Sequence, residues 1–529
     1  MRIYVDYKSV YTVYAATLNT NVSMAAGSHK ATLQAWDNSG QVYKQSVSLN
    51  VTGPAPTPTP TPAPSPTPTP TPSPTPTPTP TPTTISVAIS PTSATVQAGQ
   101  SKQFAATVTG TTNTSINWQV AGITGGNSTV GLISSAGLYT APLKVPTPNP
   151  VTVTARSFYD TTASANAAVT VSSGPGLYVS TNGNDANNCT SSAPCQTLNR
   201  ADSLATPGTT VHVASGTYTG PFLVVHSGTS TARITFVSDV KWGAKLVAPA
   251  AAPDGWVLRS NGSYVDIVGF EITDSEATGI LINGSHTRAI GNHIHHLDPT
   301  ACPGGSGIFS WGSYQITDID YIGNVLHDIG NVDSANPCSF TQGLYIGNSG
   351  GKVLNNIVYR ISGFGIHMWH AASNMVIANN TSFANMQSGL VVGGGDSGLT
   401  TGNNNTAVFN NIFVNNRNYG MTQQGTYGPS NTFKNNLIYG NGLGAVYQLT
   451  DSGRITANPA FVNYNPTGTG DYHLQSGSPA IDAGVSSATA GITNGLAPSD
   501  DFDGNGRPMG GAWDIGAYEW GGTGPTLIW

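Results

Sequence analysis

GNHIHHL at residues 291–297, GNVLHDI at 323–329, NNIVYRI at 355–361, NNTSFAN at 379–385, NNIFVNN at 410–416 and NNLIYGN at 435–441 are six versions of one pattern. Each opens on a Gly-Asn or Asn-Asn step and continues as a mostly apolar stretch. The second Asn falls at 292, 324, 356, 380, 411 and 436. A second set, out of phase with the first, opens on Gly: GILING at 279, GIFSWG at 307, GLYIGN at 343, GIHMWH at 365, GLVVGG at 389 and GMTQQG at 420. Its shorter spacings are 22 and 24 residues. Two strands per repeat at about that period fit a right-handed parallel β-helix, an all-β solenoid in which each repeat is one coil. Stacked Asn side chains at the turns would satisfy backbone groups from coil to coil. A TIM barrel or a doubly wound sheet needs helical stretches between strands, and the repeats contain none.

N-terminal to this region the chain changes character. Residues 85–173 alternate apolar and polar residues in short runs (TISVAISP, KQFAATVTG, SINWQV, GLYTAP, PVTVTARS, ANAAVTVSS) with turn signals between them. They read as a β-sandwich with Trp118 in its core. TVQAGQSKQFAATVTG resembles the bacterial immunoglobulin-like modules of surface proteins. Residues 54–84 are a Thr-Pro repeat, an extended semi-rigid spacer, because proline fixes φ and lacks an N–H. Residues 1–53 alternate again and predict a few antiparallel strands, like the back half of such a module. The division expected is therefore a partial module at 1–53, a linker at 54–84, a sandwich at 85–173 and the β-helix at 174–529. MRIYVDYKSVYTVY at the start lacks signal-peptide architecture and reads as the interior of a strand, as expected of a mature fragment of a longer secreted protein.

Composition narrows the function. Of 529 residues only 8% are charged and 63 are Gly, and the net charge is −6. An ordinary globular domain has about 25% charged residues. No basic patch exists to neutralise phosphates, so nucleic acid is not an expected partner. No run of 18 apolar residues exists to span a membrane. A polar, uncharged, turn-rich chain fits an extracellular or cell-surface bacterial protein, and the N-terminal modules are candidates for surface attachment.

Strand side chains alternate with period two. With each Gly of the second set as position zero, position one holds Ile280, Ile308, Leu344, Ile366, Leu390 and Met421, and points inward. Position three holds Ile282, Ser310, Ile346, Met368, Val392 and Gln423, also inward. Position two (Leu281, Phe309, Tyr345, His367, Val391, Thr422) and position four (Asn283, Trp311, Gly347, Trp369, Gly393, Gln424) then face solvent. An outward aromatic stripe of Phe309, Tyr345 and His367, beside Trp311 and Trp369 with Gly347 between them, suits the apolar faces of sugar rings along a polysaccharide. The alternative is that loops cover it. His370 lies three residues beyond His367, but two histidines without a third ligand are a weak metal signal. The histidines of HIHH at 293–296 read as turn and surface residues of the other strand set.

Cys302 and Cys338 each lie five residues before a Gly of the second set, so a disulfide between them is geometrically sensible and would join the insertions DPTACPGGSG and GNVDSANPCSF. Cys189 and Cys195 could close a short loop. Four cysteines allow three pairings. Register favours this one, and it implies an oxidising compartment. The stapled loops would wall one side of the stripe. The insertion GGGDSGLTTG would place Asp396 at another edge.

GLYVSTNGNDANNCTSSAPCQTLNRADSLATPGTTVHVASGTY at 176–218 resembles the opening segment of secreted parallel β-helix proteins of the pectate-lyase-like superfamily. DYHLQSGSPAIDAG at 471–484, DFDGNGRP at 501–508 and DIGAYEW at 514–520 resemble the closing segment of the same bacterial proteins. The superfamily includes polysaccharide lyases, glycoside hydrolases, epimerases and surface proteins without known activity. Some members are calcium-dependent pectate lyases with clustered aspartates and a catalytic lysine. That aspartate cluster is not found on consecutive coils here, so calcium is a candidate cofactor and not a requirement. DFDGNGRP reads as a Gly-rich turn pinned by its acidic side chains and Arg507, not as a full calcium loop.

Three functions fit. A lyase acting on a uronic acid polymer needs a group to neutralise the carboxylate, a base for the C5 proton and an acid for the leaving oxygen. His367 is the candidate base, Tyr345 the acid, and His370, Lys352 or Arg360 the carboxylate partner. A glycoside hydrolase needs two carboxylates, drawn from Glu271, Asp274, Glu276, Asp298, Asp318, Asp320, Asp328 and Asp333. A non-enzymatic adhesin or structural protein would have the stripe filled by its own loops.

Overall fold

A computed structural model describes the strands within residues 2–51 and residues 84–522, apart from short gaps at 128, 135, 143–144, 250–254, 275–277, 299–301, 303–304, 311–314, 397–401, 468–469 and 488–496. Trp311, Glu276 and the Thr-Pro stretch 54–83 lie outside the described residues. Two compact units divide the chain, Met1–Thr81 and Pro82–Trp529. The first contains one antiparallel sheet of Arg2–Val5, Lys8–Thr12, Gly27–Trp36 and Val42–Val51.

The second unit begins with β-sandwich-like sheets. Ile116–Val120, Val151–Ser157, Ser164–Ser172 and Ser93–Gln97 form one layer with Ile123–Thr124, and Ser101–Gln103 and Leu138–Thr140 belong to another. Trp118 is buried between them with Phe104, Tyr139 and Val153. This layered body touches the solenoid directly. The side chain of Gln100 accepts from the Arg233 backbone N–H at 2.9 Å, and Gln97 donates to the Gly208 carbonyl.

From Gly176 onward three parallel sheets of ten, nine and nine strands run side by side, one strand of each per coil. In one coil Thr317–Ile322 lies in the first sheet, Val325–Ile329 in the second and Gln342–Ile346 in the third. The helix Leu198–Leu204, capped by Thr197, buries Leu198 and Ala201 against the opening coil. Position-one and position-three side chains of the third sheet are inward, and Ile280, Ile308, Leu344, Ile366, Leu390 and Met421 are fully buried.

The Asn-Asn and Gly-Asn steps form the turn between the first and second sheets. Their two residues have separate tasks. The first takes a left-handed backbone: Gly291, Gly323, Asn355, Asn379, Asn410 and Asn435 have φ between 50° and 60°, a region that Gly and Asn tolerate best. The second is the buried ladder. Asn356 Nδ2 donates to the Tyr321 carbonyl at 2.8 Å and to Asn380 Oδ1 at 2.9 Å, and Asn380 Oδ1 also accepts from the Asn356 backbone N–H at 2.9 Å. The same pattern joins Asn292, Asn324, Asn380, Asn411 and Asn436.

The choice of Gly or Asn at the first position has its own consequence. Where it is Asn, the side chain reaches out and holds the C-terminal segment. Asn355, Asn379 and Asn410 donate at 2.8 Å to the carbonyls of Asp500, Asp514 and Val485, and Asn435 donates at 3.1 Å to that of Ala483. That segment covers the second sheet through Phe461, Tyr472, Ile515 and Tyr518, and the first sheet through Val485 and Ala497. In its turn, Asp501 accepts the N–H groups of Asp503, Asn505 and Glu519. Arg507 pairs with buried Glu519 at 2.7 Å instead of with the acids of its own turn.

Of the histidines of 293–296, His296 is exposed, as a turn-and-surface reading has it, whereas His295 departs from that reading. His295, His327, Tyr359 and Phe383 stack coil on coil, with ring centroids 5.1, 4.8 and 4.7 Å apart. They form a half-buried aromatic ladder on the second sheet.

Replacing Asn380 by Leu removes the acceptor of Asn356 and the donor to the Val353 carbonyl while keeping the side chain's size. Buried groups left unsatisfied cost about 1–3 kcal/mol each, so Asn380→Leu is expected to lower the urea midpoint by an amount equal to at least about 2 kcal/mol. An unchanged midpoint in urea unfolding would contradict the ladder's role.

Candidate active site on the third sheet

The third-sheet strands Ser306–Ser310, Gln342–Ile346, Ile366–Met368 and Leu390–Gly394 pair in parallel and in register. Phe309 therefore lies beside Tyr345, Tyr345 beside His367 and His367 beside Val391. Phe309 meets the Tyr345 ring edge-on at 4.8 Å, and Tyr345 meets His367 edge-on at 5.1 Å.

The column is open only in part. Leu281, Phe309 and Tyr345 are partly exposed, whereas His367 is 8% exposed and Val391 and Thr422 are fully buried. This corrects the expectation of a continuous outward stripe and of His367 as the base. The His367 ring is packed between Tyr345, Phe364 and Trp369, and its Nδ1 has no hydrogen-bond partner. Burial, with a smaller push from His370, holds its pKa down at about 3. Trp369 lies flat over the next coil: a Cβ on Gly395 would fall 2.2 Å from the indole and one on Gly393 3.1 Å from it. The Gly run at 393–395 makes room for that ring.

The polar chemistry lies at the strand ends. His370 follows the strand Ile366–Met368 in a left-handed conformation, φ 56°, which is uncommon for a residue with a Cβ. Its Nε2 is 3.0 Å from Tyr345 Oη. Its Nδ1 is 2.9 Å from Asp396 Oδ2 and 3.0 Å from Oδ1. A carboxylate can only accept, so Nδ1 carries the hydrogen and Nε2 presents a lone pair to the Tyr345 hydroxyl. Burial, and then the charge of Asp396, push the phenol up to about 12. Tyr345 is thus a neutral proton donor at ordinary pH. The side chains of His370 and Asp396 remain 31% and 46% exposed, so the chain of hydrogen bonds opens to solvent.

Loops bound this patch at both ends of the strands. Cys302 and Cys338 are joined, S–S 2.02 Å and Cα–Cα 5.7 Å, just ahead of Ser306–Ser310 and Gln342–Ile346. Cys189 and Cys195 close a loop of the opening coil. Asp396 comes from the loop after Leu390–Gly394, one coil beyond His370.

Lys352 and Arg360 do not belong to this site. Lys352 is on the first sheet, in a column that reads Asp266, Arg288, Asp320, Lys352. Buried Asp266 is bound by Arg233 at 2.7 Å and Arg288 at 2.6 Å. Lys352, Arg288, Asp320, His286 and Tyr264 line a concavity of about 230 Å³ there. Arg360 is on the second sheet and is held by Asp328 at 2.5 Å and Asp333 at 3.0 Å. The turn at Gly347–Asn348 separates Lys352 from Tyr345, and the Asn355–Asn356 step turns the chain again before Arg360. The sequence names Tyr345, His370 and Asp396 but does not show that they bond in series.

The candidate acids of a hydrolase are also dispersed. Glu271 binds Lys245 at 3.2 Å and His295 at 3.1 Å on the second sheet, with Asp274 4.0 Å from the same lysine. Asp318 and Asp320 are on the first sheet. Among the described residues, Asp396 is the carboxylate that hydrogen bonds connect to the aromatic column. No group of three His, Cys, Asp or Glu comes together as a metal cage among the described residues.

His367 is expected to stay neutral down to about pH 3. The unfolded imidazole takes a proton near 6.5, so this group contributes stability above that pH, and the contribution declines as pH falls below it. Its imidazole resonances in an NMR titration should be flat from pH 8 to about 5. A midpoint near 6.5 would show an open, titrating ring.

Comparisons with known proteins give the family of the β-helix. Residues 177–458, more than half of the chain, match the family model described as Pel9A-like, right handed beta helix region. Uncharacterized protein YwoF of Bacillus subtilis (strain 168) is 37% identical over 145 residues, 25% of this chain and 31% of that protein, so the chain spans less than a third of this relative's length. Pectate lyase L of Dickeya dadantii (strain 3937) is 26% identical over 310 residues, 49% of this chain and 70% of that protein. The crystal structure of pectate lyase Pel9A superposes with a TM-score of 0.48 at 18% identity, covering 66% of this chain and 97% of that one. The chain belongs to the Pel9A-like right-handed β-helix family.

Proposed function

We propose that this protein is a secreted polysaccharide lyase that cleaves a uronic-acid-containing polymer by β-elimination at Tyr345 and His370. The observation that carries the reading is the hydrogen-bonded series Tyr345–His370–Asp396 at the exposed end of the aromatic column. Pectate lyase L among the relatives supports the reaction class. The two disulfides suit an oxidising compartment, and no helix among the described residues is long and apolar enough to cross a membrane.

A base and an acid placed side by side, as His370 and Tyr345 are, suit a syn elimination, in which the C5 proton and O4 leave from the same face of the sugar. Asp396 holds His370 with its Nε2 lone pair directed at the column. His370 Nε2 takes the C5 proton, the C4–O4 bond breaks, and the Tyr345 hydroxyl protonates the departing O4. A C4=C5 double bond remains on the new non-reducing end. The proton then passes from His370 Nε2 to Tyr345 Oη across their 3.0 Å contact, which restores the pair. No net proton is gained or lost. The neutral state of Tyr345 favours its role as acid, and Phe309 offers its ring to the neighbouring sugar.

A second reading is favoured by the first-sheet concavity, where Lys352 and Arg288 could receive a free carboxylate. It lacks an equivalent of the Tyr–His–Asp series among the described hydrogen bonds. A hydrolase gains no support from the dispersed carboxylates. Attachment to a cell surface through the N-terminal modules remains a separate proposal, tested by locating the protein on intact cells.

Tyr345→Phe and His370→Ala are expected to lower kcat by about 10²–10⁴-fold with the fold intact. Asp396→Asn, which loosens the tautomer without removing the base, should cost about tenfold to a hundredfold. Reducing ends and the ultraviolet absorbance of the unsaturated uronate, followed together, provide the assay. Reducing ends without that absorbance would sink the lyase reading, and full activity in Tyr345→Phe would move the site elsewhere.

A further inference from the structure

We infer that the third-sheet site takes an uncharged uronyl unit, its carboxyl group esterified, at the point of cleavage. This rests on the lyase reading and goes beyond it by naming the chemical state of the substrate. The observation is a distribution of cations that holds for the whole sequence, including residues outside the described set. No Lys or Arg occurs from Ala289 to Gly351, and none from Ile361 to Asn416. Those two stretches contain every third-sheet strand from Ser306–Ser310 to Leu390–Gly394, together with the loops that flank them. The two cations between them, Lys352 and Arg360, project from the other two sheets, and Arg360 is already bound to two aspartates.

Along the third sheet the flanking cations are about three coils away on either side. Arg259 is in the same column as Tyr345, three coils away through Leu281 and Phe309, or about 14 Å at the spacing of paired strands. It bonds Asn261 at 2.9 Å. Arg417 precedes the strand Tyr419–Gly425, whose Thr422 is likewise three coils from Tyr345. The charge beside Tyr345 is instead that of Asp396.

Removing the C5 proton from a free uronate places a second negative charge next to the carboxylate. Without a cation that step is opposed, and a preorganised positive charge is the usual remedy. Here a free carboxylate would also be repelled by Asp396. Esterification removes both difficulties. An ester carbonyl is a neutral electron sink, and the C5 proton is more acidic. The first-sheet concavity, with Arg233, Arg288 and Lys352, has the opposite character and would be the natural seat for a free acid.

The test uses matched polymers. Fully methyl-esterified homogalacturonan and its saponified form, and methyl-esterified alginate and its free acid, are each offered to the full chain, with and without calcium chloride. The expected result is cleavage of at least one ester with kcat/KM at least about tenfold above its own free acid, no gain from calcium, and loss in Tyr345→Phe. Faster cleavage of a free acid, with or without calcium, overturns the inference while keeping the lyase reading. Its loss in Lys352→Met would then place the reaction on the first sheet. Cleavage of no polymer in the set overturns the inference too, and unsaturated products from some other uncharged or acidic polysaccharide would show whether the lyase reading survives it.

Discussion

The buried amide ladder from Asn292 to Asn436 is the constraint on which the rest of the solenoid depends. Each side chain accepts from the coil before it and donates to that coil's backbone, and from Asn292 to Asn411 it also donates to the next Asn. Two consequences follow. The turn between the first and second sheets cannot slip, because a shift of one residue would bury unpaired amides. Every outward column of the three sheets is then in register from coil to coil. Tyr345, His370 and Asp396 come from three successive coils, and their hydrogen bonds exist only because those coils are locked in phase.

The two-residue turn was readable in sequence because its demands are local. A left-handed backbone selects Gly or Asn, and a buried ladder selects Asn. The inward columns were readable for a similar reason, since strand alternation and a uniformly apolar column leave one assignment. What covers an outward column depends instead on contacts distant in the chain. His367 obeys the alternation, yet Trp369 and Phe364 close over it, and the glycines that let Trp369 lie flat are a coil away. Lys352 and Arg360 are close to Tyr345 in sequence. Two turns intervene, and each sends the chain to a new face. One signal for the covered coils was present all along: Asn in place of Gly at the first turn position, which supplies the donors that hold the C-terminal segment.

The three faces have sharply different electrostatics. The first sheet has a column of alternating charge that buries Asp266 between two arginines. The second has stacked histidines and tyrosine and is largely roofed over by the closing segment. Around Tyr345 the third has neutral aromatics, the imidazoles of His367 and His370 and the exposed carboxylate of Asp396. A half-buried phenol and a partly exposed imidazole in direct contact form a donor and an acceptor that exchange one proton without a net change in charge. That arrangement suits a reaction whose substrate loses a proton at one atom and gains it at the next.

A crystal structure of the Tyr345→Phe protein with an esterified hexauronate would test the central claim most directly, because it removes turnover and leaves the surface intact. The sugar is predicted to lie along the third sheet, across Phe309, with one C5 within hydrogen-bonding reach of His370 Nε2. A chain bound on the first sheet against Lys352 and Arg288, with the third sheet empty, would contradict it.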